Sequence, residues 1–549
     1  MAQMKSMRSG ANGLISGAML LVVNMAVTHF SSARPLSLAQ LPGWLALCLI
    51  VGISLLAFLA LAGWGQAEPY GYLLQERWFW ELLRFSLWQA LLSAALSTLL
   101  ALPLARSLAL DPKLPGKPWF LSWCLLCFVM PSLILITGLV ALFGRSGWLT
   151  PWLGESWRLY GLNGILLAHV FLNLPFAIRV LTFQWQSVPA NTWKLSAQLG
   201  MTGWQRFRVI EWPVIRGVLP AVSGFIFLLC FNSFAVVLAL GGGPSASTLE
   251  VAIFQALKYD FNPSEALFLA WTQLLVAGGI FMVFSRMGRF QWLAPAQAGP
   301  VWLPRLSLMF RWSGRLGYLL CVLFLTLPIL VLLPLAWQTD WAFLQQTQLI
   351  PVIMRSLVLA VAAALLAVCL ALALLSLWRT GRREGFRQWV AAVALYPLVV
   401  PAMVVSVGLY ILLMPWVDWQ AYGWIAVILM NAVIALPFAF QQLRPAVSDY
   451  DASYARLLAD LNLTRFTHWR YVYLPYLKPL LRRVLAISFV LALGDMSVFA
   501  IFGSDDWRTL PWLIYTLAGG YRLAEAALVS VLLLVLALAA LRLLEKSYD

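Results

Sequence analysis

The side chains best placed to act on a solute are a few polar residues that interrupt long apolar runs. Asp495 lies in the run 480–502, and Asn232 and Ser233 lie at the equivalent place in the run 217–240. An acidic side chain at the centre of a bilayer costs about 3 kcal/mol on insertion scales, so such residues often line a path for a solute. A translocation path lined by these three residues is one interpretation. A buried hydrogen bond or ion pair from Asp495 to another helix is the alternative.

The cysteines and histidines do not form a recognisable catalytic or metal site. Cys124 and Cys127 spell C-x-x-C, but no second pair and no nearby histidine accompany them. His169 and Asn431 correspond across a repeat described below, and we expect hydrogen bonds between helices from both. No G-x-x-x-x-G-K-S/T phosphate-binding loop occurs in the chain. We therefore expect no catalytic residue, metal or cofactor here, and any ATP must be hydrolysed by a partner subunit.

The composition is that of a polytopic membrane protein. Of 549 residues, 62% are hydrophobic and 11% are charged, whereas about 25% are charged in a typical soluble protein. A run of about 20 apolar residues spans a bilayer. About twelve such runs are visible: 44–64, 84–106, 119–143, 161–181, 217–240, 264–285, 316–336, 354–377, 389–414, 422–440, 480–502 and 525–543. The sequence therefore predicts an all-α fold of about twelve transmembrane helices.

The net charge of +16 is explained by membrane orientation, so we do not expect nucleic acid as a partner. Lysine and arginine gather in alternate loops, as the positive-inside rule requires of cytoplasmic loops. This pattern predicts that both termini lie in the cytoplasm. We expect residues 1–40 to be a surface-lying or poorly ordered extension, because a further span there would place Lys5 and Arg8 on the outside.

The chain contains an internal repeat. Pro131 and Gly138 recur 270 positions later as Pro401 and Gly408. Further along the offset becomes 262, and the segment 174–177 (LPFA) matches 436–439. We expect two six-span units, 41–285 and 316–549, joined by a cytoplasmic linker at 286–315. Because both units carry basic loops on the same side, the repeats are parallel and related by an axis along the membrane normal.

A short, basic, amphipathic stretch at 194–213 differs from the apolar runs and recurs at 456–475. Gly200 is placed to end one helix, because glycine readily adopts the left-handed conformation of a helix C-terminus. Pro213 is expected to stop a second helix. These two helix–turn–helix elements, on one side of the membrane, predict a two-fold docking surface for a dimeric motor. Its candidate residues are Lys194, Ala197, Gly200, Arg206, Ile210 and Pro213 in the first copy, and Arg456, Asn462, Leu474 and Pro475 in the second.

This stretch resembles the EAA loop of binding-protein-dependent ABC importer permeases, whose pattern is Glu-Ala-Ala, three residues, Gly, nine residues and Ile-x-Leu-Pro. Gly200, Ile210 and Pro213 match at that spacing. The sequence departs from the pattern at 194–196 (KLS) and at Trp212, and Asn462 replaces the glycine in the second copy. The resemblance implies two fused type I importer permease domains. It also implies that the loops couple them to a cytoplasmic ATPase dimer, which holds ATP and magnesium.

Longer strings are similar to the fused thiamine permeases of this class, over about residues 44–545. These strings are 84–90 (RFSLWQA), 160–171 (YGLNGILLAHVF), 197–201 (AQLGM), 240–244 (LGGGP), 502–511 (FGSDDWRTLP) and 521–522 (YR). The resemblance implies a bacterial inner-membrane permease that works with a periplasmic thiamine-binding protein and moves thiamine and its phosphates. The outer loops would dock that binding protein, with Gly242, Pro244, Asp505, Asp506 and Arg508 as candidate contacts.

Other functions stay open at the level of the sequence. Fused permeases for ferric iron share the architecture. A permease of the same class for ferric iron or another small solute is therefore an alternative. A proton- or sodium-driven secondary transporter also uses repeats, but it would want several intramembrane acids and broken helices at the midplane. A membrane enzyme would need a nucleophile–base pair or a metal cluster, and neither is visible in the sequence.

Overall fold

A computed structural model describes residues 40–64, 70–154, 156–243, 246–287, 307–339, 342, 348–381, 383–400, 402–460 and 465–545. The backbone within these ranges is almost entirely helical and contains no β-strand. Residues 1–39 of the predicted extension and 288–306 of the predicted linker lie outside the described residues.

The helices of the first repeat follow one another in the order of its predicted spans. They are α1 (Leu41–Trp64), α2 (Arg77–Leu110), α3 (Lys117–Val129), α4 (Ser132–Phe143), α5 (Thr150–Leu153), α6 (Leu162–Gln186), α7 (Ala190–Gln198), α8 (Gly203–Arg216, π-helical over Phe207–Glu211), α9 (Leu219–Phe231), α10 (Ala235–Leu240), α11 (Leu249–Lys258) and α12 (Pro263–Met287).

The helices of the second repeat follow the same order. They are α13 (Leu308–Leu330), α14 (Leu332–Ala336), α15 (Leu349–Thr380), α16 (Glu384–Leu395), α17 (Ala402–Leu413), α18 (Trp419–Asp460), α19 (Arg465–His468, continued by π-helical Trp469–Tyr473), α20 (Leu474–Leu493), α21 (Ser497–Phe502), α22 (Leu510–Gly519) and α23 (Leu523–Glu545). Short 3-10 turns cover Tyr70–Gln75, Tyr396–Leu398 and Asp505–Trp507.

The predicted all-α membrane fold is confirmed. In the described part of the chain, eight helices are long and apolar enough to cross a membrane, and there are up to eleven spans if each of three bent pairs counts as one. The bent pairs are α3–α4, α8–α9 and α16–α17. The remaining predicted run, 480–502, is divided between α20 and α21 by a break at 494–496.

Two predicted spans are sharply bent rather than straight. α3 and α4 meet at 99°, because Pro131 has no N–H with which to continue the hydrogen-bond ladder of α3. The equivalent pair in the second repeat, α16 and α17, meets at 84°. Pro401, the repeat partner of Pro131, lies outside the described residues.

The first helix of each repeat packs against the opposite repeat. α1 lies on α15 and α17, and α13 lies on α2 and α4. A Cβ atom at Gly138 in α4 would lie 2.0 Å from the carbonyl oxygen of Pro328 in α13. A Cβ atom at Gly408 in α17 would lie 2.4 Å from the carbonyl oxygen of Ala57 in α1. The repeated glycine is therefore required wherever the first helix of one repeat reaches the other.

The core is continuous across the two repeats. Within each repeat the longest helices pair, α2 with α6 and α15 with α18. One buried apolar cluster extends from α2, α6 and α9 into α17, α20 and α23. Cys124 and Cys127 are both fully buried in this cluster. Because the cluster includes helices of both repeats, the two repeats fold as parts of one packed body.

Candidate functional site

A cavity of about 260 Å³ lies between the two repeats. The first repeat contributes the bend between α3 and α4, α6 and the end of α9, and the second contributes α18 and the break after α20. The polar residues of its lining are Ser132, His169, Asn173, Ser233 and Asp495, and two of its apolar residues are Phe128 and Phe438. Both repeats therefore build a mixed polar and aromatic chamber between them.

Asp495 is the one charged residue among the described residues that line this cavity. Its Oδ1 accepts hydrogen bonds from the backbone N–H (3.2 Å) and the hydroxyl (2.6 Å) of Ser497, and its Oδ2 accepts one from the backbone N–H of Val498 (3.1 Å). Asp495 thus accepts from the N–H groups of the first two residues of α21, although Met496 is the N-cap of that helix. The bond to another helix considered from the sequence is not formed within the described part of the chain, because the carboxylate is held by its own chain.

Ser233 also lines the cavity, whereas Asn232 does not. The side-chain amide of Asn232 donates to the carbonyl oxygen of Leu398 (2.9 Å), and its Oδ1 accepts from Nε2 of Gln273 (3.0 Å). Leu398 belongs to the second repeat, so Asn232 joins the two repeats beside the cavity. Of the three residues predicted for a path, the structure brings Ser233 and Asp495 together in the cavity wall.

Glu250, which the sequence analysis missed, completes this inter-repeat junction. Its side chain is 2% exposed. It accepts hydrogen bonds from Gln273 and from the backbone N–H of Met403 at the start of α17. α11, which carries it, lies outside the candidate membrane spans, and burial raises the pKa of Glu250 to about 7. The one sequence signal was an acid directly between Leu249 and Val251.

Four phenylalanines meet next to the cavity. Phe176 and Phe438 are equivalent in the two repeats, and the ring centroid of Phe128 lies 4.8 Å from the first and 6.4 Å from the second. Phe225 likewise lies 5.0 Å from Phe176 and 6.4 Å from Phe438. This cluster packs the two repeats together with apolar rings and forms part of the cavity boundary.

His169 and Asn173 form the polar wall that α6 contributes. His169 is 2% exposed. Its Nδ1 lies 3.0 Å from the hydroxyl oxygen of Ser93 in α2, which confirms the expected helix-to-helix hydrogen bond. The Nε2 atom of His169 has no hydrogen-bond partner within the described residues. Asn173 donates to the carbonyl oxygen of His169 (2.8 Å) and contacts the sulfur of Cys230 (3.4 Å).

α7 and α8 form the predicted helix–turn–helix of the first loop. Gly200 has φ +63°, and its N–H donates to the carbonyl oxygen of Ala197 while the N–H of Met201 donates to that of Ser196. These two bonds are a Schellman motif, so the predicted end of the first helix at Gly200 is confirmed. Thr202 then starts α8 with a capping box.

The prediction that Pro213 stops the second helix is wrong. α8 continues past it to Arg216, and the chain bends by 47° only before α9. Proline fits because the preceding turn is π-helical, with the N–H of Trp212 donating to the carbonyl oxygen of Phe207. The wider turn leaves no hydrogen bond that requires an N–H from Pro213.

The second repeat also has a π-helical turn before its proline, Pro475. There the N–H of Leu474 donates to the carbonyl oxygen of Trp469 at the end of a π-helical segment, and α20 then runs on. Pro475 is exposed and Leu474 is half-buried. The proline repeated at an offset of 262 therefore marks a transition from π-helix to α-helix rather than a helix end.

A buried ion pair anchors the first loop to α2, and the sequence analysis missed it. The guanidinium of Arg106 donates to both carboxylate oxygens of Glu211, at 2.6 and 3.0 Å. Trp185 in α6 also donates to Glu211 (3.1 Å). The Arg106 guanidinium lies 4.5 Å from the ring centroid of Phe310 in α13. Because bidentate pairs are geometrically specific, this pair fixes the orientation of α8 against α2.

The second loop is anchored differently. α18 runs unbroken over 42 residues, so Arg456 lies within a continuous helix. Asp451 occupies the position that Pro189 has in the first repeat, and it accepts a 2.9 Å hydrogen bond from Arg379 in α15. The guanidinium of Arg379 lies 4.8 Å from the ring centroid of Tyr473, the counterpart of Glu211. Asn462, predicted to form the turn, lies outside the described residues.

The outward surface of the first loop is apolar and basic. Leu195, Leu199 and Trp204 are 55%, 63% and 70% exposed. Of the residues predicted to dock, Lys194, Ala197, Gly200 and Pro213 are exposed, and Arg206 and Ile210 are half-buried. Large apolar side chains so exposed on a short helix–turn–helix are typical of a surface that another protein covers.

The residues predicted to dock a binding protein lie on two surface segments. Gly242 is exposed with φ +72° and lies close to Tyr160. Asp505 and Asp506 form a 3-10 turn in which the N–H of Asp506 donates to the hydroxyl of Ser504 (3.3 Å). Asp506 and Arg508 are exposed, and Pro244 lies outside the described residues. Their role in docking stays a prediction.

Two similar helical bundles with a chamber between them, the first carrying an amphipathic helix–turn–helix element, define a membrane permease made of two fused repeats. The chain is 36% identical over 531 residues to the thiamine transport system permease protein ThiP of Escherichia coli, covering 92% of this chain and 97% of that protein. It therefore belongs to the family of thiamine transport system permease proteins, the membrane subunits of ABC importers.

Other relatives are also transport system permease proteins. ThiP of Brucella abortus is 35% identical over 91% of this chain and 93% of its own length, and ThiP of Haemophilus influenzae is 35% identical over 85% and 89%. The sulfate transport system permease protein CysW of Synechococcus elongatus is 28% identical over 217 residues, covering 38% of this chain and 73% of its own length. No family model matches the chain.

Proposed function

We propose that this multi-pass inner-membrane permease carries thiamine from the periplasm to the cytoplasm. The proposal rests on the 35–36% identity to ThiP proteins along nearly the whole chain. The chamber between the repeats is compatible with this cargo. Thiamine carries a permanently charged thiazolium ring, and a chamber with one carboxylate and phenylalanine rings attracts an organic cation.

The proposed topology places both termini and the linker 286–315 in the cytoplasm, between permease units at 41–285 and 316–549. The basic loops then lie inside, as the positive-inside rule requires. The two helix–turn–helix elements face the cytoplasm in this topology, and the segments that contain Gly242 and Asp506 face the periplasm.

The two helix–turn–helix elements would act on a cytoplasmic ATPase dimer that binds ATP and magnesium. Leu195, Leu199 and Trp204 offer apolar area to a groove on the ATPase, and Lys194 adds a positive charge. The ion pair between Arg106 and Glu211 would carry the movement of the loop into α2. A periplasmic thiamine-binding protein would deliver the cargo by docking near Gly242, Asp506 and Arg508.

The proposed cycle is alternating access. ATP binding would close the ATPase dimer, draw the two loops together and open the chamber to the periplasm, and hydrolysis would reset it. Each ligand must bind one state better than the other for this to work. Asp495 and Ser233 would meet the cargo as it passes, while the junction at Asn232 would part and re-form.

The decisive experiment measures ATP hydrolysis by this permease, reconstituted in liposomes with its ATPase, with and without a loaded binding protein. Stimulation by thiamine-loaded but not iron-loaded binding protein is expected. Stimulation only by an iron-loaded partner would keep the architecture and overturn the substrate. A complex that never binds an ATPase and moves solute on an ion gradient would instead be a secondary transporter.

A further inference from the structure

We infer that the chamber between the repeats is a binding site for one organic cation within the permease itself, with Asp495 as its charge partner and His169 as the group that orients its ring. The inference rests on the proposed function, because it concerns how the same chamber handles its cargo. It goes further in assigning recognition to the permease, so that the permease selects its cargo in addition to any selection by a binding protein.

The size of the chamber fits a small two-ring molecule. Its volume is about 260 Å³, several times the roughly 30 Å³ that one water occupies in the liquid. Ligand pockets for drug-sized molecules hold about 300 to 1,000 Å³, so this chamber lies just below that range. It is large enough for one small heterocyclic compound.

The charge of the chamber favours a cation. Asp495 is its one charged lining residue among those described, and no lysine or arginine faces it there. Three donors hold the carboxylate in place, and two carboxylate oxygens offer about four acceptor sites, so capacity is left for a ligand. The rings of Phe128 and Phe438 can add cation–π attraction.

His169 supplies a hydrogen bond with a direction. Ser93 holds its Nδ1 edge at 3.0 Å, which fixes the plane of a ring that is 2% exposed. In either tautomer of a neutral imidazole, the other nitrogen offers one hydrogen bond as donor or acceptor. Nε2 makes none within the described part of the chain. A buried polar atom left unpaired costs about 1–3 kcal/mol. Because Nε2 is itself buried, a ligand recovers this free energy when the chamber wall opens onto that edge of the ring.

The second repeat provides a matched control. Asn431 is the counterpart of His169 at an offset of 262, and its Oδ1 is likewise buried and unpaired. Asn431 does not belong to the lining of the chamber. Replacement of Asn431 therefore removes a comparable buried polar group without changing the chamber wall.

The test measures equilibrium binding of radiolabelled thiamine to the purified permease–ATPase complex without any binding protein. Saturable binding is expected in the wild type. Asp495→Asn should raise the Kd at least tenfold, and His169→Phe at least fivefold. His169→Gln, which keeps a polar group, should bind better than His169→Phe, and Asn431→Leu should bind as the wild type does. Pyrithiamine, which keeps a ring cation, should compete, whereas the uncharged oxidation product thiochrome should not.

Outcomes that overturn this inference differ from those that overturn the proposed function. A wild-type complex that imports thiamine with its binding protein but binds none alone would refute the site and leave the function intact. An unchanged Kd in His169→Phe would refute the role of His169. If that variant does not assemble, Ser233→Phe fills the chamber without removing a hydrogen bond between described residues, and unchanged binding there would refute the site. Absence of thiamine import by the wild-type complex would refute the function.

Discussion

The side-chain amide of Asn232 donates a 2.9 Å hydrogen bond to the carbonyl oxygen of Leu398, and so ties the break after α9 to the bend before α17. The counterpart of Asn232 is Gly494, which packs on Pro131 in the bend of the first repeat. A Cβ atom at Gly494 would lie 2.8 Å from Cβ of Pro131. The broken span of each repeat thus packs on the bent span of the other. In the proposed cycle, these are the contacts that opening of the chamber would part.

The junction should give stability a pH dependence that comes from Glu250. Burial raises the pKa of its carboxyl to about 7. Between the ordinary value of 4.5 and about 7, the folded protein keeps a proton that the unfolded chain releases, so stability falls as pH rises through this window. Glu250→Gln keeps the shape and does not titrate. The melting temperature of Glu250→Gln, measured against that of the wild type at the same pH, should therefore rise between about pH 5 and pH 8. The corresponding gain in the free energy of unfolding is at most about 3 kcal/mol.

This effect is measured by thermal unfolding of the detergent-solubilised protein at several pH values. Glu81→Gln serves as the control, because Glu81 is exposed in an ion pair with Arg77. A melting-temperature difference between Glu250→Gln and wild type that stays constant with pH would contradict the proposed ionisation of Glu250.

The repeated glycines should be intolerant of a single methyl group. Gly138→Ala and Gly408→Ala would each place a Cβ atom within 2.4 Å of a backbone carbonyl oxygen of the opposite repeat. Backbone shifts in a packed core cost about 1–3 kcal/mol, so both variants should lower the melting temperature and thiamine uptake. Gly52→Ala is the matched control, because no atom lies within 4 Å of a Cβ there. Equal melting temperatures for all three variants would show that the first helix of each repeat packs only loosely on the opposite repeat.

The ion pair of Arg106 and Glu211 should matter far more than an exposed pair. The Glu211 side chain is 2% exposed and that of Arg106 is 22% exposed. Removal of one partner of a buried pair costs about 3–5 kcal/mol, so Arg106→Ala and Glu211→Ala should each be strongly destabilised.

The functional readout for this pair is the stimulation of ATP hydrolysis by loaded binding protein. This stimulation should fall in both single variants. The double variant Arg106→Leu/Glu211→Leu should regain stability, but its ATP hydrolysis should still be stimulated poorly by loaded binding protein. Arg77→Ala is the control, because the pair of Arg77 and Glu81 is 91% and 61% exposed and such pairs contribute about 0–1 kcal/mol. Full stimulation in Arg106→Ala would mean that α8 moves α2 by another contact.

The turn of the first loop should respond to backbone conformation alone. Gly200 has φ +63° and no atom within 4 Å of a Cβ position, so Gly200→Ala costs only the roughly 1–2 kcal/mol of a left-handed alanine. Stimulated ATP hydrolysis should drop by a few-fold. Gly200→Asn should retain most of it, because asparagine tolerates this conformation. Gly203→Ala, at the start of α8 and without a left-handed backbone, should behave as wild type, and a loss there equal to that of Gly200→Ala would point to a steric cause.

Much of this architecture could be predicted because the causes are local or periodic. Apolar runs near 20 residues identify spans without any knowledge of their neighbours. The offset of 262 relates Pro213 to Pro475 because each proline follows the same local π-helical turn. The offset of 270 relates Gly138 to Gly408 and was visible as a repeat, although the helix contact that requires each glycine was not. Gly200 was predictable for the same reason, since a left-handed helix end selects glycine whatever packs around it.

The partnerships were decided only by the tertiary structure. Glu250 meets Gln273 and the start of α17, and Arg106 meets Glu211 across 105 positions. No period or spacing encodes such pairs, because they depend on how whole helices cross. Pro213 was misjudged because a π-turn before it, invisible in the residue types, removed the need for its N–H. The sequence therefore determined the spans, the repeat and the turn, whereas the chamber, its His169–Asp495 lining and the inter-repeat junction exist only because two bundles meet.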